Sequence, residues 1–163
     1  MPFKTLQFRR RREGKTDYKA RLNLLASGLP RLVVRKSNRY ILAQLIKSQE
    51  AQDSVVYSVT SKELDKYGFK NGSKKNLAAA YLTGFLLGNK AKGGNGKEKI
   101  SRAILDLSIH RNTKGSKIYA CLKGTLDAGL DVPHSKEILP SQEIISNRNK
   151  NFSEIFDKIK RST

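Results

Sequence analysis

The sequence predicts an α/β fold built on a mixed sheet: an antiparallel meander followed by a βαβα stretch. Three observations predict it. Three β-rich runs follow one another from residue 31 to residue 60 with short polar connections. The pattern then changes period, with an uncharged helical run from Leu77 to Gly88. A further strand and a second capped helix come after it. In a chain of 163 residues this suits one globular body with a core of its own. The expected division is a basic arm over 1–15, a globular domain over 16–146, and a linker with a short amphipathic helix over 147–163.

Residues 1–15 read as an extended arm, with Pro2, no helical period and four consecutive arginines, Arg9, Arg10, Arg11 and Arg12. Thr16 or Asp17 then caps a helix over Tyr18–Ser27, with Tyr18, Leu22 and Leu25 on one face. Gly28 ends it and Pro30 prevents continuation. Strands are expected over Arg31–Lys36 and Arg39–Lys47, turning at Ser37-Asn38, where asparagine tolerates a left-handed backbone. Polar Gln49–Asp53 turns the chain again into a strand over Ser54–Thr60.

Ser73 is the expected cap of the next helix, which runs through Asn89. Having no charge on any side from Leu77 to Gly88, it belongs in the interior. Gly84 and Gly88, four apart, are expected to let it lie close to a sheet. The glycines at 93–96 read as a flexible loop. Lys99–Leu107 is the fourth strand. Ser116 caps the following helix, whose apolar face is Ile118, Cys121, Leu122, Thr125 and Leu126; Gly129 ends it. Asp131–Ile145, with Pro133 and Pro140, is expected to run extended over the surface. In the last helix, Phe152, Ile155, Phe156 and Ile159 form an i, i+3, i+4, i+7 stripe. So short a helix cannot stand alone in water and must dock on the body or on a partner.

Charge limits the function classes. Lysine and arginine number 33 against 14 acids, a net +19, and the first fifty residues hold 13 basic and 3 acidic residues. A polyanion offsets such self-repulsion, and nucleic acid is the commonest one. The single cysteine, Cys121, rules out an intramolecular disulfide and paired-cysteine zinc spacings. No apolar run reaches the ~20 residues of a membrane span. The expectation is a soluble cytoplasmic protein without a cofactor, a metal or a small-molecule substrate.

Arginine guanidinium groups fork onto phosphate oxygens, so Arg9–Arg12 and Lys15 are candidate RNA contacts, with Phe3 and Phe8 flanking them as possible stacking or packing residues. The hairpin tip, Arg35, Lys36, Ser37, Asn38 and Arg39, joins cations to short hydrogen-bonding side chains, a combination that can enter a groove. Lys74 and Lys75 stand at one helix start. Thr113, Lys114, Ser116 and Lys117 stand at another, where free amides beside lysines can seat a phosphate.

Enzyme readings are weak. Gly96-Lys97 is followed by Glu98 and precedes a strand, which is wrong for a phosphate-binding loop. His110 and His134 have no ligand spacing and read as structural or RNA-facing. Cys121 reads as packed. A metal-dependent nuclease would need clustered carboxylates, and no second acid has a clear claim to join Asp106.

The segments "FRRRREGKTDYKARLNLLASGLPRLVVRKSNRY", "LAAAYLTGFLLG" and "TKGSKIYACLKGTLDAGLDVPH" resemble the archaeal form of large-subunit ribosomal protein eighteen, whose eukaryotic counterpart is large-subunit protein five. The resemblance covers nearly the whole chain. It implies a non-enzymatic protein with a ribonuclease H-like α/β sandwich. It also implies binding to 5S rRNA, contact with 23S rRNA and neighbouring large-subunit proteins, and a place in the central protuberance. It further implies that the arm Arg9–Lys15, the tip Lys36–Arg39 and the loop Thr113–Lys117 face RNA. Arg111-Asn112 stand where the archaeal pattern has prolines after the histidine matching His110, and the tail after Ser146 is variable.

Overall fold

A computed structural model describes residues 6–50, 52–69, 73–93, 98–147 and 151–161. Phe3 and the glycines at 94–96 lie outside them, as does most of the 147–151 linker. Alternation sets the sheet. β1 (Arg31–Lys36) pairs antiparallel with β2 (Ile41–Gln49), and β2 with β3 (Gln52–Thr60). β4 (Ile104–Asp106) joins β1 in parallel, giving the order β3-β2-β1-β4. Leu32, Val34, Ile41, Ala43, Leu45, Tyr57 and Val59 are all buried on the inner face. The outer face carries Arg31, Val33, Arg35 and Gln44. Ile46 joins them by alternation, opposite Arg31, and a register shift between β2 and β3 at Leu45/Ile46 leaves Val56 as the extra residue between Tyr57 and Val55.

Strand ends depart from the sequence reading for local reasons. Lys36 pairs with Ile41, so Arg39 and Tyr40 belong to the turn and not to β2. The turn is closed by Ser37, whose hydroxyl donates to the Tyr40 carbonyl at 2.9 Å and accepts from the Tyr40 amide at 2.9 Å. Asn38 does not take a positive φ; among the described non-glycine residues only Glu50 and Ser108 do. The next hairpin is tighter than expected, with Gln49 opposite Gln52, because Ser48 and Asp53 hydrogen-bond across it and extend the ladder. β4 is shorter than expected. Its upstream backbone turns to a different neighbour: the Ala103 amide donates to the Asp131 carbonyl at 2.9 Å and the Asp131 amide to the Ser101 carbonyl at 2.9 Å.

The long buried helices cover the inner face, and the short N-terminal ones lie on the outer side. α1 (Arg9–Arg12) is a single turn inside the arm expected to be extended, so that expectation is corrected. Its closing bonds are local: the Arg12 amide reaches the Phe8 carbonyl at 3.1 Å and the Glu13 amide the Arg9 carbonyl at 3.0 Å. α2 (Tyr18–Ala26) is capped by Asp17, which accepts from the amides of Lys19 and Ala20. Its expected apolar face is not buried; Leu22 is 67% exposed. α2 instead holds the outer side of the sheet through Arg21, which bonds Asp53 at 2.7 Å.

α3 (Leu77–Gly93) is buried without a break from Ala78 to Gly88. Asn76 caps it, not Ser73: the Ala79 amide donates to Asn76 Oδ1 at 2.7 Å. α4 (Lys117–Asp127) packs against α3 with backbones nearly touching. A Cβ on Gly84 would lie 2.0 Å from the Cys121 carbonyl oxygen, and one on Gly124 would lie 2.1 Å from that of Tyr81. The small residues therefore admit another helix, and not the sheet as the sequence suggested. Cys121 is fully buried in this seam, and burial pushes its thiol up to about 12, so it is packed and unreactive.

The segment after Val132 is not extended. It forms a 3₁₀ turn (Lys136–Ile138) and α5 (Gln142–Ser146), started by buried Pro140, whose carbonyl accepts from Lys123 Nζ at 2.9 Å. α6 (Phe152–Arg161) docks on the body, burying Phe152, Ile155 and Ile159. Phe156 closes an aromatic cluster, 4.7 Å from the Phe85 ring and 6.1 Å from that of Tyr81. Each buried anchor contributes ~1.5–3 kcal/mol, which holds a helix too short to persist alone.

Candidate nucleic-acid interface

The β1–β2 turn, the segment before α3 and the loop before α4 lie far apart in sequence. The fold brings them to one end of the sheet. There they line a shallow groove: Lys36, Ser37 and Asn38 on one side, Lys75 behind, and Thr113, Ser116 and Lys117 opposite. Gly115 makes the approach possible. Its φ of +67° turns the loop into α4 while its amide donates to the Ile138 carbonyl at 3.0 Å. Among the described residues, no carboxylate lines the groove. Burial, and then the charges of Lys75 and Lys36, pull the Lys117 ammonium below the ordinary lysine range. Three like charges therefore converge with no counter-charge between them.

Not every predicted residue has a free hand. Lys74 bonds Asp65 and lies 5.9 Å from the centre of the Tyr40 ring, so it braces the fold while its neighbour Lys75 faces the groove. Ser37 spends its hydroxyl closing the turn. Ser116 occupies the N-cap of α4 but makes no capping bond, and its buried Oγ has no partner among the described residues. Lys114 and Glu137, both largely exposed, stand 3.6 Å apart, an arrangement of little energetic weight. Arg39 and Thr113 are exposed on the rim.

The arm lies on the other side of the sheet. Arg9 stands 3.7 Å and Lys15 2.8 Å from Glu13, and Arg10 Nε donates to Thr16 Oγ1 at 2.8 Å. Arg11 and Arg12 have no acidic partner among the described residues. Phe8 is 71% exposed, with its ring 5.2 Å from that of Tyr18. Arg35, exposed at the end of β1, stands between arm and tip.

Sequence reasoning missed two features. His110 is held below its ordinary value by burial and by Lys36 and Arg35, which places it beside the tip; sequence separation concealed that. Asp106 does have an acidic neighbour, Asp53, reached through Arg31. The Arg31 guanidinium bonds Asp106 at 2.8 Å and Asp53 at 2.8 Å. Among the described residues no three His, Cys, Asp or Glu side chains are grouped so as to hold a metal.

A basic groove at a sheet end suits many polyanion binders, so comparison with known proteins decides the kinship. The family described as "Ribosomal large subunit proteins 60S L5, and 50S L18" matches residues 3–94 and 89–135. The chain belongs to this family. The two matches take in every residue of the groove. Among its relatives is the "Large ribosomal subunit protein uL18" of Korarchaeum cryptofilum, 55% identical over 140 residues, covering 86% of this chain and 69% of the relative. Another is the protein of the same name from Methanococcus maripaludis, 53% identical over 148 residues, covering 90% and 74%. The chain is thus a large-subunit ribosomal protein of the archaeal uL18 type, from a family of generally structural members. No helix among the described residues is long and apolar enough to cross a membrane.

Proposed function

We propose that this protein is a non-enzymatic constituent of the large ribosomal subunit that binds 5S rRNA, contacts 23S rRNA and neighbouring proteins, and helps form the central protuberance. Its RNA-facing surface comprises the arm (Arg9–Arg12 and Lys15), the tip (Arg35–Arg39), and Lys75 with Thr113–Lys117, while Lys74 acts behind it. On this reading the sheet with its long helices packed on the inner face is the ribonuclease H-like sandwich of the family, used without that enzyme's activity. The arm over 1–15 and the tail over 147–163 are its appendages.

The observation that carries the reading is the convergence of Lys36, Lys75 and Lys117 in a groove without a carboxylate. Uncompensated ammonium groups repel one another until phosphates come between them. The partner's shape would supply specificity, since a folded RNA presents backbone more than base edges to such a surface. A binding titration compares folded 5S rRNA with a scrambled RNA of equal length. At least tenfold tighter binding to folded 5S rRNA is expected. Equal affinities would replace the structural role with that of a non-specific RNA chaperone.

A further inference from the structure

We propose that Tyr119 is a positioning residue for the groove: its hydroxyl, bonded to Asn112, clamps the β4–α4 loop so that the wall opposite Lys36 is already formed when RNA arrives. The inference rests on the RNA-binding role proposed above and adds a residue that touches no RNA itself. The loop, residues 107–116, carries Thr113 and Ser116 into that wall and His110 towards the tip. Backbone amides hold its two ends. It leaves β4 through Ser108, at a φ of +52°, whose amide donates to Asp106 Oδ1 at 2.8 Å, and the His110 amide donates to the Leu107 carbonyl at 3.0 Å. It enters α4 with the Gly115 amide on the Ile138 carbonyl at 3.0 Å and the Ser116 amide on the Thr113 carbonyl at 3.2 Å.

Between those ends, Arg111 and Asn112 make no backbone–backbone bond among the described residues. One side-chain contact sets their place: the Tyr119 hydroxyl donates to Asn112 Oδ1 at 2.5 Å. The two partners differ in a way that gives the contact its use. Asn112 is exposed, and Thr113, the next residue, lines the groove. Tyr119 is only 4% exposed and sits in the first turn of α4, two residues after Lys117. The middle of the loop is thereby tied to the helix that presents Lys117. Burial raises the phenol above its ordinary value, so the hydroxyl keeps its proton and donates. A phenylalanine would fill the same apolar space; what the hydroxyl adds is the hold on Asn112, its one partner among the described residues. A wall assembled in advance spares the complex the entropy of ordering it on contact.

Two variants remove the contact from either side, Tyr119→Phe and Asn112→Ala. Residue-resolved hydrogen exchange on the free, full chain reads the clamp without RNA. The His110, Gly115 and Ser116 amides should exchange roughly three- to tenfold faster in both variants, the worth of one hydrogen bond, while amides of β2 and α3 keep the parent's rates. Fluorescence anisotropy with labelled, folded 5S rRNA reads what the clamp is for. Each variant should bind about three- to tenfold more weakly. The double variant should bind no more weakly than either single one, since both delete the same contact. Loss of affinity in Asn112→Ala alone would make Asn112 a direct RNA contact, and additive losses would give the two residues separate roles; either result overturns the proposal. Unchanged exchange in the loop, faster exchange throughout β2 and α3, or faster loop exchange with parental affinity overturns it too. Exchange that quickens as expected, in a parent that binds folded 5S rRNA no better than a scrambled RNA of equal length, would sink the RNA-binding role and leave the bond as the anchor of the loop.

Discussion

Neutralising Lys36, Lys75 and Lys117 together, as methionines that keep the apolar stems, tests the groove most directly. If each ammonium displaces about one counterion from the RNA, the slope of log K against log salt falls by ~0.7–0.9 per lysine. The triple variant should therefore lose ~2–3 from the parent slope. Near 0.15 M salt the same relation gives ~0.6–0.7 decade of affinity per contact, so roughly a hundredfold in all. The structure also supplies an internal control. Lys74 is adjacent in sequence to Lys75 but is bonded to Asp65, so Lys74→Met should leave the slope unchanged. Fluorescence anisotropy with labelled 5S rRNA, from 50 to 300 mM salt, reads both quantities. A parental slope in the triple variant, or an equal fall in Lys74→Met, would refute the reasoning. Charge alone, wherever it stood, would then be what the RNA recognises.

Two stability predictions follow from the fold. Gly84→Ala gains ~1 kcal/mol of helix propensity, but its Cβ would stand 2.0 Å from the Cys121 carbonyl oxygen in a seam where backbone must move to make room. Overpacking costs ~1–3 kcal/mol or more, so a net loss of about 2 kcal/mol and a Tm lower by ~4–8 °C are expected by circular dichroism; an unchanged Tm would mean that α3 and α4 part easily. Acid should weaken the fold through Asp53. Burial alone would raise this carboxyl, but hydrogen bonds from Ser48, Arg21 and Arg31 outweigh it and hold the group below the usual aspartate range. Its unfolded form then binds the proton more readily, so its contribution is complete above the ordinary aspartate value of ~3.9 and is lost as pH falls through the lowered one. Urea unfolding from pH 6 to pH 2 should show a shallower decline in Asp53→Asn than in the parent; parallel curves would remove Asp53 from the account.

Periodicity made the sheet and the helices legible, because three β-rich runs and one uncharged helix have few ways to bury their faces. Ends were less legible wherever a side chain could close a turn more cheaply than the backbone could extend a strand, as Ser37 does at Tyr40. The role of Gly84 and Gly88 was half legible: their size announced a close approach, but only the three-dimensional arrangement shows that α4, not the sheet, arrives there. At the interface the residue types could be read but their allegiance could not. Lys74 and Lys75 are chemically identical in the sequence. An acid nine residues upstream of Lys74 engages one of them, and the direction of the chain before α3 leaves the other facing the groove.

That difference bears on why so cationic a chain folds at all. The cations with structural work are matched: Arg31 to Asp53 and Asp106, Arg21 to Asp53, Lys74 to Asp65 and Lys90 to Glu63. Breaking a buried pair such as Arg31–Asp106 strands a charge and costs ~3–5 kcal/mol, so the chain's few acids are concentrated where the body requires them. Part of the surplus has no acidic partner among the described residues: Arg11 and Arg12, Arg35, and Lys36, Lys75 and Lys117 in the groove. A solubilising surface would mix signs. Here acids hold the sheet and its helices together, and unpaired cations that the fold does not use remain on the arm and at one end of the sheet as well as on other exposed surfaces such as Lys62, Lys158 and Lys160, an excess that a polyanion would balance.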